Sequence, residues 1–272
     1  MWDSRLVEYW RSYVPPCRPS RFELDLCKSE LHKIREAVGD RAPRLLVLGS
    51  TNEYRDLGFE ERCEIVVADN SKAFHEAISE DRRYKNSHEI VYVVAWEDMN
   101  FDCEFDMVVG DLVVGNVAPE RVADFVDNVH KSLRPSGTFI TKSFFFDQSR
   151  QGPLLAAFHR FENCFRHEDP FPYLAYQLTL AAMDPKTHML EFGEMFKLVR
   201  QAHEDGVVST KTYERYLELG WHKGGKIQFH VMPIQHWEDL LNRFFSSYTI
   251  SYAPYAWAHD YPIYCAYKRH PA

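Results

Sequence analysis

Between Arg44 and Phe146 the chain alternates short apolar runs with stretches of helical spacing, a pattern that leaves little choice but a parallel sheet. The runs are RLLVLG (44–49), EIVVAD (64–69), EIVYVVAW (89–96), FDMVVGD (105–111) and SGTFITKSFFF (136–146). Their length and β-branched content mark strands buried on both faces. Between them NSKAFHEAISEDRR (70–83) and APERVADFVDNVHKSLRPSG (118–137) carry the helical period. Right-handed crossovers then place helices on both faces of a doubly wound sheet.

The flanks read differently. Trp2, Leu6, Tyr9, Trp10 and Tyr13 share one face of an expected N-terminal helix, which PPCRPS (15–20) breaks. Ser20, with Glu23 three residues on, opens a second helix through a capping box. It runs to about Val38, and Gly39 stops it. Residues 150–225 read as mostly helical, HWEDLLNRFF (236–245) as a short amphipathic helix, and 248–269 as two strands. An antiparallel final pair brings the sheet to seven strands. The expectation is one α/β domain over 1–272. Its parts are a helical cap (1–40), a core (44–146), a helical insertion (150–225) and a C-terminal helix with a strand pair (226–272).

Several function classes recede on composition. The formal net charge of −8 argues against a surface that wraps nucleic acid. No apolar run approaches the ~20 residues that span a bilayer. The start, MWDSRLVEYW, lacks the basic-then-apolar order of a signal peptide, so a cytoplasmic protein is expected. Cys17, Cys27, Cys63, Cys103, Cys164 and Cys265 form no C-x-x-C pair and read as reduced thiols. Neither H-x-x-x-H nor a Cys/His grouping gives metal spacing, so no metal is expected.

In a doubly wound sheet, ligands sit at the carboxyl ends of the strands. The first run ends in Gly49-Ser50-Thr51, where glycine lets backbone approach a ligand and small hydroxyls follow. The second ends in Asp69-Asn70, with Asp69 at about the 20-residue offset at which an acid reaches a ribose. The third ends in Ala95-Trp96, whose indole can cover an adenine. The fourth ends in Gly110-Asp111 and continues to Asn116. Each has a purely structural alternative: Asp69 as a helix cap, Trp96 as core, Asp111 and Asn116 as turn residues. The signatures G-x-G-x-x-G, G-K-[ST] and G-x-S-x-G are all absent, which disfavours a nicotinamide site, a P-loop and an esterase elbow.

RLLVLGSTNEYRDL, EIVVADNS, AWEDMNF, FDMVVGDLVVGNV and LRPSGTFITKSFF, in this order and spacing, resemble the successive motifs of class I S-adenosylmethionine (SAM)-dependent methyltransferases. The resemblance covers about 44–146 and is renewed in the C-terminal strand pair. It implies a Rossmann-like seven-stranded sheet with an antiparallel last strand, SAM as cofactor and S-adenosylhomocysteine as product. It also implies roles. Gly49, Ser50 and Thr51 line the methionine, Asp69 and Asn70 meet the ribose, Ala95 and Trp96 flank adenine, and Asp111 lies near the amino-acid end. The chain departs from the pattern where the usual acid two before the first glycine is Val47, where one glycine replaces three, and where Ala95 stands for an acid. Glu53 and Asp111 are then the acids left for the methionine ammonium.

The expected activity is methyl transfer to a small-molecule acceptor, with no nucleic-acid or membrane partner. The alternatives are a SAM enzyme that transfers or cyclises the aminocarboxypropyl arm, and a non-catalytic SAM-binding subunit. Asn116 and His230 are the candidates on the acceptor side: an amide to position the acceptor, and a base if a proton must leave. A histidine satisfied within the fold is the bland reading of His230. Tyr173 and Tyr176 are expected as pocket walls, and residues 1–20 as a lid.

Overall fold

Every residue of the first strand pairs on at least one side, and that pairing organises the molecule. The computed structural model describes residues 7–85, 88–163, 171–218, 225–255 and 258–268. Strand β1 (Arg44–Leu48) runs parallel to β2 (Glu64–Asp69) on one side and to β4 (Phe105–Asp111) on the other. Strand β3 (Glu89–Val93) extends the sheet beyond β2, and β5 (Leu133–Lys142) lies beyond β4. The chain returns antiparallel in β9 (Ile263–Tyr267), with β8 (Ser247–Ser251) at the edge. The sheet order is therefore β3-β2-β1-β4-β5-β9-β8, a Rossmann-like doubly wound sheet with an antiparallel final strand, as expected.

The alternation of side chains along the strands explains why the runs are apolar throughout. Leu46, Leu48, Val66 and Val108 face a core shared with α5 (Val122–Ser132) and α10 (Ile234–Phe244), centred on Phe125 and Trp237. Leu45, Val47, Val67 and Val109 face the opposite core, shared with α2 (Arg21–Val38) and α3 (Asn52–Glu60). Helix α2 opens with the expected capping box: Ser20 Oγ accepts from Glu23 N–H, and Glu23 Oε1 accepts from Ser20 N–H at 2.8 Å. A short helix α1 (Val7–Ser12) lies against α4 (Lys72–Ser79), where Val7 and Trp10 pack on Phe74 and Ile78. Residues 1–6, part of the expected lid, fall outside the described residues.

The segment after β5 builds a third core. Helices α6 (Leu154–Asn163), α7 (Phe171–Ala182), α8 (Phe192–Glu204) and α9 (Thr210–Glu218) supply most of it. It also contains a two-stranded antiparallel ribbon, β6 (Met189–Glu191) with β7 (Gln228–His230), that the helical pattern of the sequence hid. No described helix is long and apolar enough to cross a membrane.

At the amino end of β4, away from the strand tips where ligands bind, Asp106 ties the sheet together. Arg41 Nη1 and Nη2 both donate to its carboxylate at 2.7 Å, and Arg44 N–H donates at 2.8 Å. Burial opposes the charge, but the Arg41 fork and the Arg44 amide outweigh it and hold the carboxyl below its usual value. Its contribution is therefore present above the unfolded-state value of ~3.9 and is lost as pH falls through the lower folded value. In denaturant titrations, Asp106→Asn should lower the midpoint at neutral pH, and the gap to the parent should close below about pH 4. A gap independent of pH would show that the charge is not what matters.

Candidate active site

The carboxyl ends of β1, β2 and β4, the turn after β3, and the third core surround one cavity of about 190 Å³. Gly49 follows β1 at φ +78°, a conformation that favours glycine, and a Cβ there would sit 3.5 Å from the Trp96 ring. Trp96 is fixed over that glycine because its Nε1 donates to Ala68 O at 2.8 Å. Thr51, the N-cap of α3, makes no side-chain cap bond, so the first-turn amides of α3 keep their capacity for an anionic ligand group.

Asp69 lies at the tip of β2 and lines the cavity. Ser50 Oγ donates to its Oδ2 at 2.6 Å, and Ser71 N–H donates to its Oδ1 at 2.8 Å. The N-cap of α4 is Ser71, whose Oγ accepts from Phe74 N–H, so Asp69 is not the helix cap that the sequence left open. Behind it Ser50 Oγ is 3.0 Å from His75 Nδ1, and His75 Nε2 is 3.5 Å from Glu89. Glu89 is in turn paired with the buried Arg55 and Arg82. The chain Asp69–Ser50–His75–Glu89 thus fixes the tip of β2 from behind. Burial and the Arg55 charge keep His75 below its ordinary value, against the pull of Glu89 and Asp69.

Asp111 and Lys142 are register partners at the tips of β4 and β5, and with Glu23 of α2 they form a buried ion cluster. Lys142 Nζ is 3.1 Å from Asp111 Oδ1 and 3.0 Å from Glu23 Oε2, with side-chain exposures of 0%, 0% and 1% respectively. It also donates to Arg18 O at 2.9 Å. Burial pushes the Asp111 carboxyl up to about 7, against the pull of Lys142 and with the Glu23 charge adding to the rise. This cluster holds down the segment between α1 and α2, whose Tyr13 and Cys17 line the cavity beside Trp10 of α1. Arg18 reinforces it with a 2.6 Å ion pair to Glu53. Lys142 was not singled out from sequence, and Glu23 only as the capping-box partner of Ser20; the signal was a lysine ending an otherwise apolar strand.

Of the candidate residues, Gly49, Ser50, Thr51, Asp69, Asn70, Trp96, Asp111 and Asn116 all line the cavity. Ala95 caps the short 3-10 helix Trp96–Asp98 and is not among the lining residues. Asn116 is exposed at the mouth, where its Nδ2 donates to Leu112 O at 2.9 Å. His230 is buried in β7 and does not line the cavity; its neighbour Phe229 does. Tyr173 and Tyr176 are not walls either. Tyr176 is buried in the third core with its hydroxyl donating to Phe145 O, and the wall is built instead by Phe144, Phe192, Ile227, Phe229 and Tyr261.

Burial and the neighbouring His188 and His236 depress His230 to about 4, so the imidazole stays neutral at neutral pH. An NMR titration of its ring protons should show a midpoint near 4, and a midpoint at the ordinary ~6.5 would contradict its placement. Among the described residues, no group of three or more His, Cys, Asp or Glu side chains is placed to hold a metal ion.

No family model and no curated protein sequence matches the chain. Solved structures do match in fold. A putative Zn-dependent alcohol dehydrogenase from Rhodobacter sphaeroides aligns over 100% of both chains at 15% identity, TM-score 0.55. A protein from Pyrococcus horikoshii covers 96% of this chain and 99% of its own at 15% identity, TM-score 0.52. A SAM-dependent methyltransferase from Methanosarcina mazei covers 88% and 98% at 11% identity, TM-score 0.50. Identities this low speak to fold alone. With its strand order and antiparallel last strand, the chain has the class I SAM-dependent methyltransferase fold.

Proposed function

We propose that the protein binds SAM in this cavity and transfers its methyl group to a small-molecule acceptor, leaving S-adenosylhomocysteine. The observation that carries the reading is the convergence of Gly49, Asp69, Trp96 and Asp111 on one cavity at the strand tips of a methyltransferase fold. The lining suits the group. Among the described residues it holds the carboxylate side chains Asp69, Glu97 and the Lys142-paired Asp111, and no lysine or arginine, which favours a ligand carrying a sulfonium and an ammonium. Asp69 lines the cavity and suits ribose hydroxyls, the Trp96 indole suits adenine, and the α3 amides suit the carboxylate. SAM, when bound, supplies a methyl carbon on a cationic sulfur, open to in-line displacement.

The protein's own contribution is orientation and exclusion of water. Trp10, Tyr13, Phe144 and Phe229 line the cavity with aromatic surface. Holding nucleophile and methyl in line supplies much of the rate in such reactions. Asn116 at the mouth positions the acceptor. The acidic overall charge and the enclosed aromatic wall favour a metabolite over nucleic acid. Cys27, Cys63, Cys103 and Cys265 are free thiols, which suits a reducing compartment.

Product analysis tests the chemistry: S-adenosylhomocysteine is expected, and methylthioadenosine would mean that the aminocarboxypropyl arm is transferred or cyclised instead. Asn116→Ala should lower turnover about tenfold or more with SAM affinity little changed, because it misplaces the acceptor and not the cofactor. Loss of SAM binding in a folded Asn116→Ala protein would move this residue to the cofactor side.

A further inference from the structure

We infer that the acceptor is a flat aromatic molecule without negative charge, methylated on a nitrogen that brings its own lone pair. The inference rests on the methyltransferase reading and adds the acceptor class. One wall of the cavity is an aromatic stack. Phe144 and Phe229 stack with centroids 4.8 Å apart and planes at 15°, and Phe192 continues the stack from Phe229 at 6.2 Å and 27°. Phe229 is locked in place because it rests directly on Gly115, where any Cβ would collide with the ring. A rigid apolar stack of this kind favours a second flat ring through edge-to-face and apolar contact.

Charge narrows the class further. Among the described residues, the charged side chains lining the cavity are carboxylates, Asp69 and Glu97 together with an Asp111 paired to Lys142. An acceptor with a carboxylate or phosphate would lose its hydration beside them with no cationic partner among the described lining residues. None of the described residues of the wall is a proton acceptor. Leu112, Phe144, Phe192, Ile227 and Phe229 are apolar, and Gln228 offers an amide. Burial pushes the Tyr261 hydroxyl far up, so it stays protonated. The Asp111 side chain is wholly buried against Lys142, and His230 lies outside the cavity. A hydroxyl nucleophile would find no described side chain of this wall to take its proton. A ring nitrogen or aryl amine needs none removed beforehand. Its lone pair forms the N–C bond as the C–S bond breaks and that pair returns to sulfur, and any N–H proton of the resulting cation then passes to water.

Three flat probes of matched size separate these claims: quinoline, 2-naphthol and 2-naphthoate. Each is titrated into the full-length protein saturated with S-adenosylhomocysteine, with quenching of Trp10 and Trp96 fluorescence as readout. Quinoline and naphthol should bind alike and naphthoate about tenfold or more weakly. Ile227→Lys, which puts a cation into the wall, should bring naphthoate to within about twofold of quinoline. With SAM in place, quinoline should be methylated and naphthol should lag it by at least about tenfold at neutral pH. Naphthoate binding as tightly as quinoline, naphthol serving as the better acceptor, or no probe saturating would each overturn the inference. SAM titrated alone separates the two readings: if SAM binds and the probe order fails, only the acceptor class is wrong.

Discussion

Replacing Lys142 by methionine should cost about 3–5 kcal/mol of folding stability, the largest effect expected of any single substitution in this protein. The ammonium is the shared cation of two buried carboxylates, Asp111 at 3.1 Å and Glu23 at 3.0 Å, and it also donates to Arg18 O. Methionine fills most of the volume but leaves both acids facing each other without a counter-charge. The cost should appear as a drop in the denaturant midpoint. Adding Glu23→Gln and Asp111→Asn to Lys142→Met should restore part of it, because neutral amides remove the repulsion while keeping the shape. A Lys142→Met protein with an unchanged midpoint would mean that the cluster carries no such charge. The N-terminal segment should loosen as well, since Arg18 O loses its donor, and hydrogen exchange over residues 13–20 reads this independently.

The second large effect concerns the cofactor. Asp69→Ala should weaken SAM binding by about 1.5–3 kcal/mol, roughly 10- to 100-fold, the range for hydrogen bonds to a charged group. Asp69 also organises its surroundings, accepting from Ser50 Oγ and Ser71 N–H. Asp69→Asn is therefore the companion: it keeps the shape at the tip of β2 and should lose less. Calorimetry on both variants, after their melting curves have shown them folded, gives the comparison. Equal SAM affinity in parent and Asp69→Ala would remove Asp69 from the ribose.

The central sheet was legible because its strands are buried on both faces. Residues 45–48 of β1 and 65–69 of β2 meet helices on either side, so the apolar runs could be read without knowing their partners. The capping box at Ser20 was legible for a local reason, since its bonds span three residues. The ribbon β6–β7 was not. Each strand has three residues, β6 runs straight into α8, and the pairing joins Met189 to His230 across a long intervening stretch. Three residues are too few to show a period of two against a helical background.

The candidate site divides along the same line. Gly49, Asp69, Trp96 and Asp111 follow strand tips, and in a parallel sheet adjacent tips lie side by side, so their convergence could be reasoned from order alone. The far wall could not. Phe144, Phe192, Phe229 and Tyr261 come from four separate segments and meet only through the packing of the third core. Tyr173 and Tyr176 had the right composition, but Leu174, Ala175, Tyr176, Gln177 and Leu178 of α7 are all buried, which turns the Tyr176 ring into the core. His230 lost its place to its neighbour: Phe229 takes the cavity side of β7, and the imidazole is buried away from it.

The most direct test is a calorimetric titration of the full-length protein with SAM, with NAD titrated in parallel because the dehydrogenase match shares the fold. SAM should give one saturable site, accompanied by quenching of Trp96 fluorescence, and NAD should give no saturable heat. NAD binding in place of SAM, or no saturable SAM binding at about millimolar concentration, would contradict the assignment of this cavity.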